Sequence, residues 1–218
     1  MWCIKEIDEE YREKMNDIFR LYSENYDPKY PIICLDEKHK HLTGDIIDSI
    51  PMKPGSPGKY DYQYSRNGTA NIFVAVDFNG GKRDITVTNR RTKTDFAHYI
   101  KHLVDNVFSD AVYLRIVMDN LNTHTYGAIL DTFDFKESVR LIRKVFFHYT
   151  PKHASWQNMA EIEINVMDRL CTGRRIKDKN LLISETTAYQ NYRNKNKCKI
   201  NWKFTKEDAD EKLSKYYV

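Results

Sequence analysis

Apolar residues recur at helical spacing in several segments of the chain. Over residues 4–22 they return every three or four positions with charged residues between them, which predicts an amphipathic helix ahead of Pro28 and Pro31. The same spacing predicts further helices over residues 94–108, 126–131, 135–144, 155–171 and 181–194. A capping pattern, Thr205-x-x-Asp208, lies in the tail. The chain is therefore predicted to be helical at both ends.

Short apolar runs between these helices predict the strands. One run, residues 32–35, stops at Asp36, and another, residues 113–118, stops at Asp119. Runs separated by Asn67-Gly68 and by Asn79-Gly80-Gly81 predict an antiparallel meander over residues 60–64, 72–76 and 85–88. A last strand is predicted at residues 145–149. Strands interleaved with helices indicate an α/β fold with a mixed sheet.

The two carboxylates that follow strands suggest a metal site. The carboxyl ends of parallel strands meet at one edge of a sheet, and neighbouring strands lie ~5 Å apart, so we expect Asp36 and Asp119 to be neighbours. Converging carboxylates repel one another unless a cation neutralises them, and hard oxygen donors favour Mg²⁺ or Mn²⁺. Two such ions ~4 Å apart suit phosphodiester cleavage. The alternative is that Asp119 and Asn120 merely begin a turn or cap a helix.

A third carboxylate, Glu161, lies near the start of the helix predicted after residue 155. A structural explanation competes with a catalytic one, because Asn158-x-x-Glu161 resembles a capping box. Glu163 is a rival for the same role. On a helical wheel, Glu163 lies closer than Glu161 to the centre of an apolar face made by Met159, Ile162, Val166 and Leu170.

Composition indicates a folded domain rather than a membrane or secreted protein. The 218 residues fit one ordinary domain, and no apolar run approaches the ~20 residues that cross a bilayer. The first residues turn acidic at once, unlike a secretory signal, so a cytoplasmic location is expected. Four dispersed cysteines without a Cys-x-x-Cys pair argue against a zinc ribbon and favour a reduced state.

Charge adds a weak hint of a polyanionic partner. The formal net charge is +4, and basic residues cluster at positions 82–83, 90–93, 174–177 and 193–199. Such clusters permit a basic surface without proving one. If that partner is a nucleic acid, the side chains predicted to contact its phosphates are Lys38, Lys40, Arg90, Arg91 and Lys152.

Three motifs together resemble the catalytic domain of bacterial insertion-sequence transposases. They are Leu35-Asp36-Glu37-Lys38, then Met118-Asp119-Asn120-Leu121-Asn122-Thr123-His124, then Tyr149-Thr150-Pro151-Lys152-His153-Ala154-Ser155-Trp156-Gln157-Asn158-Met159-Ala160-Glu161. The group they resemble is the mariner superfamily, and within it the insertion sequence 630 family. The resemblance covers nearly the whole chain from about residue 4.

This resemblance implies an RNase H-like mixed sheet, with three antiparallel and two parallel strands, flanked by helices. It implies that Asp36, Asp119 and Glu161 are the catalytic acids and hold two Mg²⁺ or Mn²⁺ ions. Asn120, His124 and His153 match the family pattern as polar residues around those acids. Glu161 is preferred to Glu163 because Asn158-x-x-Glu161 fits the motif. Its separation of 42 positions from Asp119 is longer than usual in mariner-type elements, and residues 133–144 resemble an inserted helix.

The function implied by the resemblance is cleavage of DNA at transposon ends, followed by joining of the freed 3′-hydroxyl to target DNA. The implied partners are terminal inverted repeats, target DNA and a second copy of the chain, in a bacterial cytoplasm near the nucleoid. Two alternatives are a catalytically silent DNA-binding or regulatory protein derived from a transposase, and an RNase H-like nuclease without strand transfer.

The predicted organisation has three parts. An N-terminal helix and linker occupy residues 1–30, the RNase H-like DDE catalytic domain occupies residues 31–178, and a C-terminal helical tail occupies residues 179–218. Relatives usually carry helix-turn-helix modules before the catalytic domain, and no such module is evident ahead of Asp36. A separately encoded helix-turn-helix partner is one interpretation, and a degenerate remnant is the other.

Overall fold

A five-stranded mixed sheet forms the centre of the protein in a computed structural model that describes residues 6–218. Its strands are β1 (Ile32–Asp45), β2 (Tyr64–Asp77), β3 (Lys82–Thr88), β4 (Leu114–Met118) and β5 (Val145–Tyr149). They lie in the order β3-β2-β1-β4-β5. The first three strands are antiparallel, whereas β1, β4 and β5 are parallel. The predicted mixed sheet is confirmed.

Helices surround the sheet near the predicted positions. They are α1 (Glu9–Tyr22), α2 (Lys93–His102), α3 (Tyr126–Thr132), α4 (Phe135–Ile142), α5 (Met159–Met167), α6 (Lys179–Lys195) and α7 (Lys206–Leu213). α2 and α5 each end in a π-helical turn, at Leu103–Val107 and Asp168–Thr172 respectively. α1 begins later than predicted because the Asp8 side chain caps it by accepting from the amide of Tyr11. The predicted start at Ile4 lies outside the described residues.

β1 is much longer than the sequence predicts. It does not end at Asp36 but continues to Asp45, because its polar second half pairs with β2 from Asp36–Val74 to Asp45–Tyr64. The strand predicted at residues 60–64 is wrong, since only Tyr64 belongs to β2. The antiparallel trio is therefore β1, β2 and β3.

The Asn67-Gly68 pair forms a bulge rather than the predicted turn. His41 pairs with Thr69 and Thr43 pairs with Arg66. One residue separates the paired positions on β1 and two separate them on β2, so β2 carries one extra residue. Gly68 accommodates it with a φ of 111°, a left-handed value that glycine adopts without strain.

Side chains of β1 alternate between two helical layers. Leu35 packs into a core cluster with Phe96 and Ile100 of α2, while Cys34 packs with Met159 and Ala160 of α5 on the other face. Asp36 and its neighbour Glu37 consequently face opposite layers. The strand thus presents one carboxylate to each side of the sheet.

Two further features of the described residues concern membrane-spanning helices and cysteines. None of their helices is both long and apolar enough to cross a membrane. Cys34, Cys171 and Cys198 are free thiols. Cys3 lies outside the described residues.

Candidate active site

The parallel pairing of β1 with β4 sets two acids at the same level. Ile32, Ile33 and Cys34 lie opposite residues 115, 116 and 117 of β4. Asp36 lies two positions after Cys34, and Asp119 lies two positions after Val117. Asp36 is inside the long β1 strand, whereas Asp119 follows immediately after the last residue of β4.

Asn158 fixes the start of α5 beside Asp36. Its side-chain nitrogen donates to the Leu35 carbonyl at 2.9 Å and to Asp36 Oδ2 at 3.3 Å, and its side-chain oxygen accepts from the amide of Ala160 at 3.1 Å. The predicted capping box forms only in part, because no reciprocal side-chain bond from Glu161 exists in the described structure. The first turn of α5, which carries Glu161, is thereby anchored to β1.

The carboxyl group of Asp36 lies in a negative environment. Burial raises its pKa, the charges of Glu161 and Asp119 raise it further, and the Glu37 amide, which donates to Asp36 Oδ1 at 2.7 Å, opposes the shift. The resulting pKa is about 7. The carboxylates of Asp119 and Glu161 therefore both lie close enough to Asp36 for their charges to act on it.

The donor chemistry of these acids fits a divalent cation. As the side chains stand in residues 6–218, no three His, Cys, Asp or Glu side chains are grouped closely enough to hold one ion. However, Glu161 has no side-chain hydrogen bond among the described residues and can turn, and Asp119 is 41% exposed with its Oδ2 atom free of hydrogen bonds among those residues. A cation between them and Asp36 would relieve the repulsion that raises the pKa of Asp36.

Glu163 lies on another side of α5 and is fully buried. It pairs with Arg83 at 2.9 Å and with Arg193 at 2.9 Å, and it accepts from the Tyr189 hydroxyl at 2.7 Å. The apolar face predicted for α5 is wrong, since Ile162 is 38% exposed. The buried positions instead include Ala160, Glu163, Ile164 and Met167.

His124 connects Asp119 to a residue that sequence reasoning missed. One ring nitrogen, Nδ1, lies 2.7 Å from Asp119 Oδ1, and the other, Nε2, lies 3.1 Å from Glu37 Oε1. Burial lowers the pKa of His124, but the hydrogen bonds to Asp119 and Glu37 outweigh it and raise the pKa to about 9. The available signal for Glu37 was its place next to Asp36, on the opposite face of a strand.

The other predicted polar residues line the approach to Asp119. Asn120 and His153 are exposed, and both border a cleft of about 820 Å³ that Asp119 and Lys152 also line. His153 has a φ of 65°.

The predicted DNA-contacting residues fall into two groups. Lys38 pairs with Asp168 at 2.5 Å, at the start of the π-helical turn after α5, and Lys40 donates to the carbonyls of Thr172 and Arg174, at its end and just beyond. In contrast, Arg90, Arg91 and Lys152 are exposed, with Arg91 3.8 Å from Glu37.

The fold is similar to that of solved mariner transposase complexes. The Mos1 mariner paired-end complex with Mn has a TM-score of 0.57 and 12% identity, covering 91% of this chain and 60% of that one. The Mos1 strand transfer complex has a TM-score of 0.57 and 12% identity, covering 91% and 61%. The mariner Mos1 paired-end complex with Mg has a TM-score of 0.54 and 12% identity, covering 87% and 57%. These likenesses confirm the predicted RNase H-like fold.

Two further comparisons concern the sequence itself. The chain spans about 60% of the length of those transposases, and no curated protein matches it. The family model described as DDE superfamily endonuclease matches residues 31–183, which is most of the chain. The chain therefore belongs to the DDE superfamily endonucleases.

Proposed function

We propose that this chain is the catalytic part of a transposase that cleaves transposon-end DNA and joins the 3′-hydroxyl to target DNA. The observation that carries the proposal is that Asp36, Asp119 and Glu161 come from two neighbouring parallel strands and the first turn of α5, with Asp119 and Glu161 close enough to Asp36 for their charges to raise its pKa. Converging carboxylates, one of which, Asp119, lines an accessible cleft, are typical of a site built for cations and a charged substrate. In this proposal the predicted domain of residues 31–178 is the segment that carries the catalytic residues.

Each residue of the proposed site has a separate task. Asp36 and Asp119 would hold two Mg²⁺ or Mn²⁺ ions, and Glu161 would complete the ligand set from α5. When bound, such ions activate the attacking oxygen and stabilise the leaving oxygen. Asn158 keeps α5 at a fixed position relative to Asp36 through its bonds to Leu35 and Asp36.

The proposed partners are the terminal inverted repeats, target DNA and a second copy of the chain. Support comes from the similar structures, which are paired-end and strand transfer complexes of Mos1. A separately encoded helix-turn-helix protein is a further proposed partner. The proposed setting is the bacterial nucleoid.

A cleavage assay tests the proposed reaction. Purified protein is incubated with a labelled duplex carrying the terminal repeats that flank the gene, together with Mg²⁺, Mn²⁺ or a chelator. We expect metal-dependent cleavage that Asp119→Ala abolishes and that Asp110→Ala, a change at an exposed aspartate away from the site, leaves unchanged.

The products also separate the alternatives. Cleavage without joined products would identify a nuclease rather than a transposase. If the folded protein binds the duplex and neither metal supports cleavage, the enzymatic proposal is wrong and a silent regulatory protein remains.

Phosphate contacts are proposed for the exposed basic residues rather than for Lys38 and Lys40. We expect Arg90→Ala and Lys152→Ala each to weaken DNA binding and to reduce the slope of log affinity against log salt by about 1, because each removes one phosphate contact. Fluorescence anisotropy at several KCl concentrations measures this slope. Lys136→Ala, at an exposed position on α4, is the matched control. An unchanged slope in both variants would contradict the assignment.

A further inference from the structure

A buried imidazole joins the two strands that carry the proposed metal-binding acids. His124 is fully buried and lies between Asp119 Oδ1 and Glu37 Oε1, at 2.7 and 3.1 Å. Glu37 immediately follows Asp36 on β1. The two hydrogen bonds of His124 therefore link Asp119, just after β4, to the strand that carries Asp36. The contacts thus couple the position of Asp119 to that of Asp36.

Asp119 needs such support because it lies beyond the end of its strand. Its side chain is 41% exposed, and the residues that follow it, Asn120, Leu121 and Asn122, are exposed as well. Among the described residues, His124 makes the only side-chain hydrogen bond to its carboxylate. The bond engages Oδ1 and leaves Oδ2 available to an ion.

The imidazole itself is held firmly. Its ring packs 4.8 Å from the ring of Phe96, its backbone amide donates to the Leu121 carbonyl at 2.9 Å, and its own carbonyl accepts from the Tyr149 hydroxyl at 2.8 Å. Tyr149 ends β5 and Phe96 belongs to α2, so separate elements of the fold fix the ring. A rigidly held ring restricts the orientation of the carboxylate bonded to it.

Glu37 is a nearly buried carboxylate with a charged neighbour, Arg91, whose guanidinium lies 3.8 Å from Oε2, beyond hydrogen-bond distance. Its side chain is only 3% exposed, and Oε2 has no hydrogen-bond partner among the described residues. A buried carboxylate with an unsatisfied oxygen is costly unless it serves a partner. The buried partner of Glu37 is the Nε2 atom of His124.

We propose that Glu37 and His124 are positioning residues that orient Asp119 for binding a divalent cation. The inference rests on the proposed function, in which Asp119 is a metal ligand. Groups that hydrogen-bond to a ligand typically change metal affinity 10- to 100-fold when removed. Neither residue touches the substrate or the ion in this proposal. Their effect passes through the Asp119 carboxylate.

Mn²⁺ binding, measured without DNA from the EPR signal of the free ion, tests this inference. His124→Phe keeps an aromatic ring against Phe96 and removes both ring bonds, so we expect about 10- to 100-fold weaker binding. Glu37→Gln has nearly the same volume, loses the charge and is expected to give a smaller loss. His124→Asn, whose amide can still donate to Asp119, should restore part of the affinity. His98→Phe, at an exposed position on α2, is the control.

The outcomes separate this inference from the proposed function. Normal Mn²⁺ affinity in His124→Phe and in Glu37→Gln, with wild-type binding that Asp119→Ala abolishes, overturns the positioning role alone. Absence of Mn²⁺ binding by the wild-type protein overturns the proposed function and the positioning role together. If His124→Phe does not fold, Glu37→Gln and His124→Asn decide, and unchanged affinity in both overturns the inference. A partial rescue by His124→Asn supports it.

Discussion

Glu163→Gln is expected to lower the free energy of unfolding by about 3–5 kcal/mol, because it leaves buried guanidinium charge without its counter-charge. Glu163 and Arg83 are both fully buried, and the nearby Arg193 is mostly buried. The amide retains some hydrogen bonds but not the negative charge that two arginines share. Urea unfolding of the purified variant measures the loss.

Glu161→Gln is the matched change two positions away on the same helix. We expect it to leave the unfolding free energy nearly unchanged, since Glu161 has no side-chain hydrogen bond among the described residues. DNA cleavage should fall by at least about 10²-fold, the scale seen when one charge-stabilising group is removed from a preorganised site. We therefore expect Glu161→Gln to be stable but inactive, and Glu163→Gln to be destabilised. The reverse pattern would show that Glu163 is the third acid.

Asp36→Asn is expected to stabilise the metal-free protein while it abolishes cleavage. Burial and the charges of Glu161 and Asp119 raise the pKa of Asp36 to about 7, so the ionised carboxylate destabilises the fold at neutral pH. A shift of this size corresponds to up to about 4 kcal/mol at a pH above 7. The neutral amide removes both the cost of burying the charge and the repulsion from Glu161 and Asp119.

The pH dependence follows from the sign of the shift. With a folded-state pKa above the unfolded value, the native protein binds the extra proton between about pH 4 and pH 7. The penalty is therefore fully present above pH 7 and shrinks as the pH falls toward 4. The gain from Asp36→Asn should shrink over the same range.

Unfolding in a chelating buffer at several pH values measures this dependence, with Asp110→Asn as the control. Mg²⁺ should stabilise the wild-type protein more than Asp36→Asn, because the variant lacks a ligand. A pH-independent difference between the wild type and the variant would contradict the raised pKa of Asp36.

The sequence was informative wherever local pattern decided the structure. The apolar runs before Asp36 and Asp119, the spacing of the helices and the cap at Asn158 all correspond to features of the fold. These features depend on residues near one another in the chain, so their patterns are readable without a partner.

Long-range pairing accounts for what the sequence did not reveal. The polar half of β1 is a strand because β2 pairs with it, and the sequence of residues 38–45 does not predict this pairing. Glu163 could be taken for the third acid because its ion-pair partners are distant in sequence. Arg83 lies 80 positions away and Arg193 lies 30 positions away. Glu37 similarly meets His124 across 87 positions. Such contacts depend on tertiary structure rather than local propensity.

The charge cluster around Glu163 also bears on how the protein can be shortened. The family match ends at residue 183, near the beginning of α6, yet Tyr189 and Arg193 lie beyond it on the same helix. A truncation drawn at the edge of the family match would keep the buried carboxylate and discard one of its two cations. We therefore expect a stably folded segment to extend beyond residue 183 and to include Arg193.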